Sequence, residues 1–223
     1  MKNEVHRRYH AAKDRLQDAS DALSEMRKSG VSARRLQRYW REYLDSAVAA
    51  FKFLQSVLES QEGKFESTRM WDECKGDPIC YYLFQSRNSE THSAQVVIPH
   101  PAVIELSAGG QAIHISSGDD ARFIAYVGNV VEDATGNTHK LPDFIGEIRD
   151  GIVRGVSDSP SGLRVSRPYL ELSTARTRGI DYPVPYPCGQ LPHSFLDFAT
   201  HYLTFLRKWE RKARSSIGLP VEP

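Results

Sequence analysis

Tyr81-Tyr82-Leu83-Phe84-Gln85-Ser86-Arg87-Asn88-Ser89-Glu90-Thr91-His92 is an aromatic, helix-forming run that closes on an arginine, an asparagine and a histidine. Asp77-Pro78 stands just ahead of it. A capping side chain followed by proline at the first helical position is a strong start signal, so a helix is expected here, carrying Ile79, Leu83 and the polar residues. Arg87 is a permanent cation whose fork of donors fits a phosphate, and His92 can gain or lose a proton near neutral pH. Together they suit phosphoryl chemistry on RNA. Five residues along an ideal helix turn through roughly 140° net, so Arg87 and His92 share a face only if the helix unwinds or kinks. The sequence therefore predicts a break near Asn88-Ser89.

Upstream, Val5, Tyr9, Ala12, Leu16, Ala19, Leu23 and Met26 step by alternating fours and threes until Ser29-Gly30. This lays one apolar seam along a long helix. Ser32 is the expected N-cap of a second, whose seam is Leu36, Trp40, Tyr43, Ala47, Phe51, Leu54 and Leu58. The short link makes the two an antiparallel hairpin. A heptad seam does not say whether its partner lies in the same chain or in a second one. Phe65 to Cys74 predicts a shorter third helix with Phe65, Met70 and Trp71 buried, ended by Lys75-Gly76.

Downstream of the motif the period falls to about two. Gln95 to Ile98, Ala102 to Ser107, Ala112 to Ile115 and Arg122 to Val131 read as strands of a small antiparallel sheet, separated by Gly109-Gly110 and Ser117-Gly118. Leu141 to Ile152 fits a short helix or strand, and Gly155 to Pro168 a loop. The prolines from Tyr182 to Pro187 keep the chain extended. A last helix, from about Pro192-His193-Ser194, carries Phe195, Phe198, Tyr202, Phe205 and Trp209 beside Leu196, Ala199, Leu203 and Leu206. That arc is too wide for a surface helix and is expected to close a bundle with the first helices. The fold class that results is α+β: a helical bundle from residues 1–94 and 191–217, with a β-rich insertion at 95–190 between the motif helix and the C-terminal helix.

The pattern Arg-Asn-x-x-x-His at the end of an apolar helix, in a mostly helical chain, resembles the signature of HEPN domains (higher eukaryotes and prokaryotes nucleotide-binding), over about residues 32–94 and again 192–215. The resemblance implies a bundle of four or five helices and a metal-independent endoribonuclease, acting as a toxin or defence effector. Carried onto this chain, the catalytic set is Arg87, Asn88 and His92, meeting their twins across a homodimer interface. Histidine would help deprotonate a ribose 2′-hydroxyl, which attacks the adjacent phosphodiester, while arginine stabilises the charge on phosphorus. The implied partners are RNA, a second copy and an antitoxin protein. The variant found beside nucleotidyltransferase antitoxins has a tyrosine two places after the histidine. Here that place is Ala94, which argues against modification by such a partner. The alternative is a non-catalytic adaptor of the same fold that binds a nucleotide, RNA or protein, with Arg87 bonding helix carbonyls and His92 capping the helix.

Composition bounds these readings. Forty per cent apolar content in 223 residues builds a substantial core, and 29 Lys and Arg against 28 Asp and Glu leave a net charge of +1, which does not mark a nucleic-acid binder. The first 41 residues are basic, with eleven Lys and Arg against five Asp and Glu, an end able to track phosphates or simply a solvated helix face. Cys74, Cys80 and Cys188 are too few and too odd for a disulfide framework, so a reducing cytoplasm is expected. The polar start is no signal peptide, and no apolar run nears the roughly twenty residues that span a bilayer, so no membrane partner is expected. Cys74 and Cys80 lie too far apart for a zinc knuckle, and His92, His100, His114 and His139 are scattered. Neither a metal nor a cofactor is therefore expected. Cys188 has no neighbourhood that marks a nucleophile, and the glycine pairs match no phosphate loop.

Overall fold

The computed structural model describes residues 2–28, 31, 33–90, 97–100, 103–108, 111–116, 121–124, 130–132, 138–140, 145–149, 152–154, 163–165, 169–185 and 195–219. Among them are five helices: Lys2–Arg27 (α1), Ala33–Glu62 (α2), Lys64–Gly76 (α3), Pro78–Glu90 (α4) and Phe195–Ser216 (α5). The chain forms two compact units, one of residues 1–27, 38–98 and 171–223, the other of 28–37 and 99–170.

In the first unit the predicted seams are the core. Every α1 seam residue from Val5 to Met26 is buried, as are Trp40, Tyr43, Ala47, Phe51, Leu54 and Leu58 of α2. The question of an internal or external partner is answered: one chain covers both seams. Arg8 Nη1 of α1 donates to Ser56 Oγ of α2 at 2.7 Å, joining the start of α1 to the latter part of α2 as in an antiparallel pair. The α5 helix lies against both. The Tyr43 hydroxyl donates to the Ala199 carbonyl at 2.6 Å, Arg207 reaches Ser20 Oγ at 3.1 Å, and Glu210 accepts from the Tyr9 hydroxyl. Phe198, Ala199, Tyr202, Leu206, Trp209 and Ala213 of α5 are buried. The predicted wide arc is thus an inward face, and the helix closes the bundle as expected.

Gly63 separates α2 from α3 with φ 81°, a left-handed value that favours glycine. In α3 the buried stripe is Ser67, Met70 and Cys74. Phe65 is 75% exposed, against expectation, because a residue two places before Ser67 lies about 200° round the helix from that stripe. Trp71 sits at the stripe's edge and packs edge-on against Phe51 and Phe84, with ring centroids 5.8 and 5.0 Å away.

Half of the residues from Pro78 to Ser89 of α4 are buried. Its Cys80, Tyr82, Leu83, Gln85, Ser86 and Ser89 are all buried. A two-stranded antiparallel hairpin of Ala175–Thr177 and Ile180–Tyr182 covers part of it, turning through Arg178 (φ 52°) and Gly179 (φ 79°). Two consecutive positive φ values are what a tight type I′ hairpin turn requires. Ser86 Oγ donates to the Tyr82 carbonyl within the helix, and three other polar groups of α4 meet the hairpin or the residues just before it. Tyr82 donates to the Ser173 carbonyl at 2.7 Å, the Thr177 hydroxyl to the Gln85 carbonyl at 3.2 Å, and the Arg176 N–H to Ser89 Oγ at 3.2 Å. Thus α4 runs unbroken through Asn88 and Ser89 to Glu90, and the expected unwinding there does not occur. The Ser89 side chain is held by the hairpin rather than diverted to its own backbone.

The strands in chain order are Val97–His100 (β1), Val103–Ala108 (β2), Gln111–Ser116 (β3), Ala121–Ile124 (β4), Val130–Glu132 (β5), Thr138–Lys140 (β6), Ile145–Arg149 (β7), Ile152–Arg154 (β8), Leu163–Val165 (β9) and Tyr169–Leu172 (β10), followed by the two hairpin strands β11 and β12. The second unit contains antiparallel β3-β2-β9 and β4-β7-β8 sheets and a β5-β6 pair, while β1 pairs with β10. The β2-β3 register sets Ala108 opposite Gln111. Leu163–Val165 is a strand where the sequence suggested loop, because its Leu-Arg-Val pairs with the centre of β2, too short a run to show a period of its own. Several small sheets replace the single one expected.

Candidate functional site

Arg87 occupies the last turn of α4, where a cation favours the helix dipole. Its Nε lies 3.1 Å from Asp45 Oδ1 of α2. The two side chains are 31% and 61% exposed, which makes this a solvated ion pair at the surface. Asn88, beside it, is half-buried. Asp45 is a neighbour of Arg87 that sequence reasoning missed: it lies 42 residues upstream, on the outer side of the α2 seam. His92 and Cys188 lie outside the described residues. The structure thus shows Arg87 and Asn88 adjacent on one helix end.

Basic residues also line a groove between α1 and α5. Lys13, Arg207, Arg211 and Arg214 border one depression, and Arg27 and Arg207 a second. Neighbours fix several of them: Arg27 donates to Thr200 Oγ1 at 2.6 Å, and Arg211 to the Arg207 carbonyl at 3.4 Å. The basic N-terminal stretch and the basic end of the last helix, far apart in sequence, therefore come together. No helix among the described residues is long and apolar enough to cross a membrane.

The opposite end of α4 carries a second constellation. Asp77 is extended at φ −98°, ψ 108°, and its Oδ1 accepts the N–H groups of Ile79 and Cys80, each at 3.0 Å. This is the cap that Asp77-Pro78 predicted. Its other oxygen, Oδ2, lies 2.6 Å from His201 Nε2 of α5, and the Cys80 side chain also bonds the carboxylate. Burial tends to raise the Asp77 pKa, but the Cys80 N–H, His201 and the Cys80 thiol outweigh it, so the carboxyl sits below its usual range. Burial, reinforced by the nearby Asp77 charge, pushes the Cys74 thiol up to about 12 and that of Cys80 well above the ordinary cysteine value. A cavity of about 650 Å³ opens alongside, lined by Glu73, Asp77, Ile79, His201, Phe205 and Lys208, among others. Sequence spacing concealed this cluster, since His201 joins from 121 or more residues away.

Lys208 Nζ lies 2.7 Å from Glu73 Oε2 at the cavity edge. Partial burial would raise the Glu73 pKa, yet Lys208 and Arg69 together hold it below its usual range. A depressed carboxylate pKa gives stability that is present above the unfolded value and lost as pH falls through the folded one. Thermal melts should therefore show wild type losing stability below about pH 4.3. Glu73→Gln should flatten that part of the profile; equal slopes in the two proteins would refute the assignment.

No family model matches the chain, and neither a curated protein nor a solved structure matches it.

Proposed function

We propose that the helical unit is a HEPN-like, RNA-cleaving module in which Arg87 anchors a phosphate beside Asn88, with His92 as the proton acceptor, and that it acts as a homodimer in the cytoplasm, as a toxin or defence effector. The observation that carries the reading is the Arg87–Asp45 pair. The guanidinium is partly exposed and oriented, and a solvated carboxylate is among its partners. An exposed ion pair is worth at most about 1 kcal/mol, whereas a phosphate can take a guanidinium fork in a stronger charge-assisted contact. Asp45 in this reading is a placeholder that RNA displaces. One arginine at the negative end of a helix gives too little positive potential to hold a phosphodiester, so a second copy supplies the rest. The groove between α1 and α5 offers further cations to the flanking backbone.

Removing the competitor should favour RNA. Asp45→Asn is expected to tighten RNA binding up to about fivefold, the equivalent of 1 kcal/mol, without abolishing cleavage. Fluorescence anisotropy on a labelled RNA at fixed low salt measures it. Weaker binding in the variant would mean that Asp45 orients Arg87 rather than shields it.

A second reading, a non-catalytic adaptor for a nucleotide, RNA or protein, draws on the same ion pair as a structural tie between α4 and α2. Incubating wild type with total RNA in magnesium-free buffer separates them: binding without cleavage supports the adaptor. Sedimentation adds a check, since a strict monomer at micromolar concentration rules out a cleft shared by two copies.

A further inference from the structure

We propose that Asp77, Cys80 and His201 form a transition-metal site, suited to Zn²⁺, with an open position facing the cavity beside α4. The three side chains come from the α3–α4 junction, the first turn of α4 and the second turn of α5, and one ligand atom of each lies within 4.8 Å of the others. That spread is what a tetrahedral ion needs, since Zn–O and Zn–N bonds of about 2.0–2.2 Å and a Zn–S bond of about 2.3 Å set neighbouring ligands some 3–4 Å apart. The donor set is one thiolate, one imidazole and one carboxylate, which zinc accepts together and which magnesium or calcium does not.

The orientation of the carboxylate is the second argument. Asp77 Oδ1 is engaged by two backbone N–H groups, leaving Oδ2 turned toward His201, while the Cys80 side chain bonds the same carboxylate. A ligand oxygen held in place through its partner oxygen is the outer support that metal-binding carboxylates use. The imidazole and thiol now converge on this one carboxylate. A divalent ion replaces that arrangement with the thiol proton leaving to solvent and Nε2 presenting its lone pair. One carboxylate and one thiolate against two positive charges make the loaded site neutral, which suits the buried Cys80.

The third argument is access. His201 is 46% exposed at the side chain, and the cavity wall runs from Asp77 and Ile79 to Phe205. Three protein ligands and an open fourth position define the type of zinc site that holds an exchangeable water or small anion. The site lies seven to ten residues from Arg87 along α4, roughly 10–15 Å at the rise of a helix, so it is separate from the RNA-cleaving machinery proposed above.

The test uses the full chain. Protein purified without chelator from zinc-supplemented culture should carry one equivalent of zinc by elemental analysis. After metal removal, Co²⁺ should give a near-ultraviolet thiolate-to-cobalt band and the visible absorption of a tetrahedral ion. His201→Ala, at a half-exposed position where folding is not at risk, should weaken Zn²⁺ binding more than the 10–100-fold that loss of an outer partner costs. Cys80→Ser should abolish the thiolate band. Cys74→Ser, also buried but outside the set, should keep it, and far-ultraviolet circular dichroism confirms that each variant is folded. Protein that retains no zinc and gives no cobalt band overturns the proposal. So does a His201→Ala variant that binds Zn²⁺ as wild type does, or a cobalt band that depends on Cys74 instead of Cys80.

Discussion

Arg87→Ala and His92→Ala are each expected to abolish RNA cleavage, with rate losses on the order of 10² to 10⁴ for the general base. Arg87 makes its loss felt in a different way from His92. Without the guanidinium, the charge that grows on the phosphoryl oxygens has no oriented donor, so both binding and the chemical step should suffer. Stability should scarcely change at Arg87, because its side chain is a surface one and its Asp45 partner is exposed. That combination, a dead enzyme with an unchanged melting temperature, separates catalysis from structure. Variants that cleave as well as wild type would leave the adaptor reading in place, and an Arg87→Ala variant that unfolds would make the ion pair a structural tie.

The largest effect on stability is expected at Trp209. It is 1% exposed, at the inward face of α5, with Lys208 Nζ and Lys212 Nζ 5.7 and 5.1 Å from its ring centroid. Lys212 also pairs with Glu66 of α3, so the ring lies beneath a polar lid that joins two helices. Trp209→Ala should cost about 3–5 kcal/mol through lost burial and the cavity left behind. At ~2–4 °C per kcal/mol for a domain of this size, that is a fall of roughly 6–20 °C in Tm. Denaturant melts of the variant measure it directly, and a loss below about 1 kcal/mol would mean that α5 does not hold the bundle together as described.

The helices were legible in the sequence because their seams are long and regular. Seven apolar residues on α1 and six from Trp40 to Leu58 on α2 all became core, and Asp77-Pro78 marked the start of α4 with its own hydrogen bonds. The errors have physical causes. Phe65 is apolar but off the stripe, which a short helix of mixed pattern does not reveal. The helix α4 shows no clear apolar face because polar residues are buried on it: Ser86 Oγ donates to the Tyr82 carbonyl of the preceding turn, and the hairpin of β11 and β12 meets Ser89 Oγ and the Gln85 carbonyl. The strand β9 is too short to carry a period.

The sites divide in the same way. Arg87 and Asn88 were legible because they lie in one run of sequence next to a clear helix start. Asp45, which pairs with Arg87, and His201, which meets Asp77 and Cys80, were not, since each arrives from a different helix. Local spacing finds side chains that meet on one turn of helix and misses those that tertiary packing brings together, as it does Asp77, Cys80 and His201. The expectation of no metal rested on such spacing alone.

End-group analysis of the RNA products tests the central claim most directly. Attack by a ribose 2′-hydroxyl on the adjacent phosphodiester must leave a 2′,3′-cyclic phosphate on one fragment and a 5′-hydroxyl on the other. Wild type in magnesium-free buffer should give those ends, and Arg87→Ala and His92→Ala should give none. Fragments ending in 5′-phosphate and 3′-hydroxyl, or intact RNA after long incubation with a folded dimer, would contradict the account.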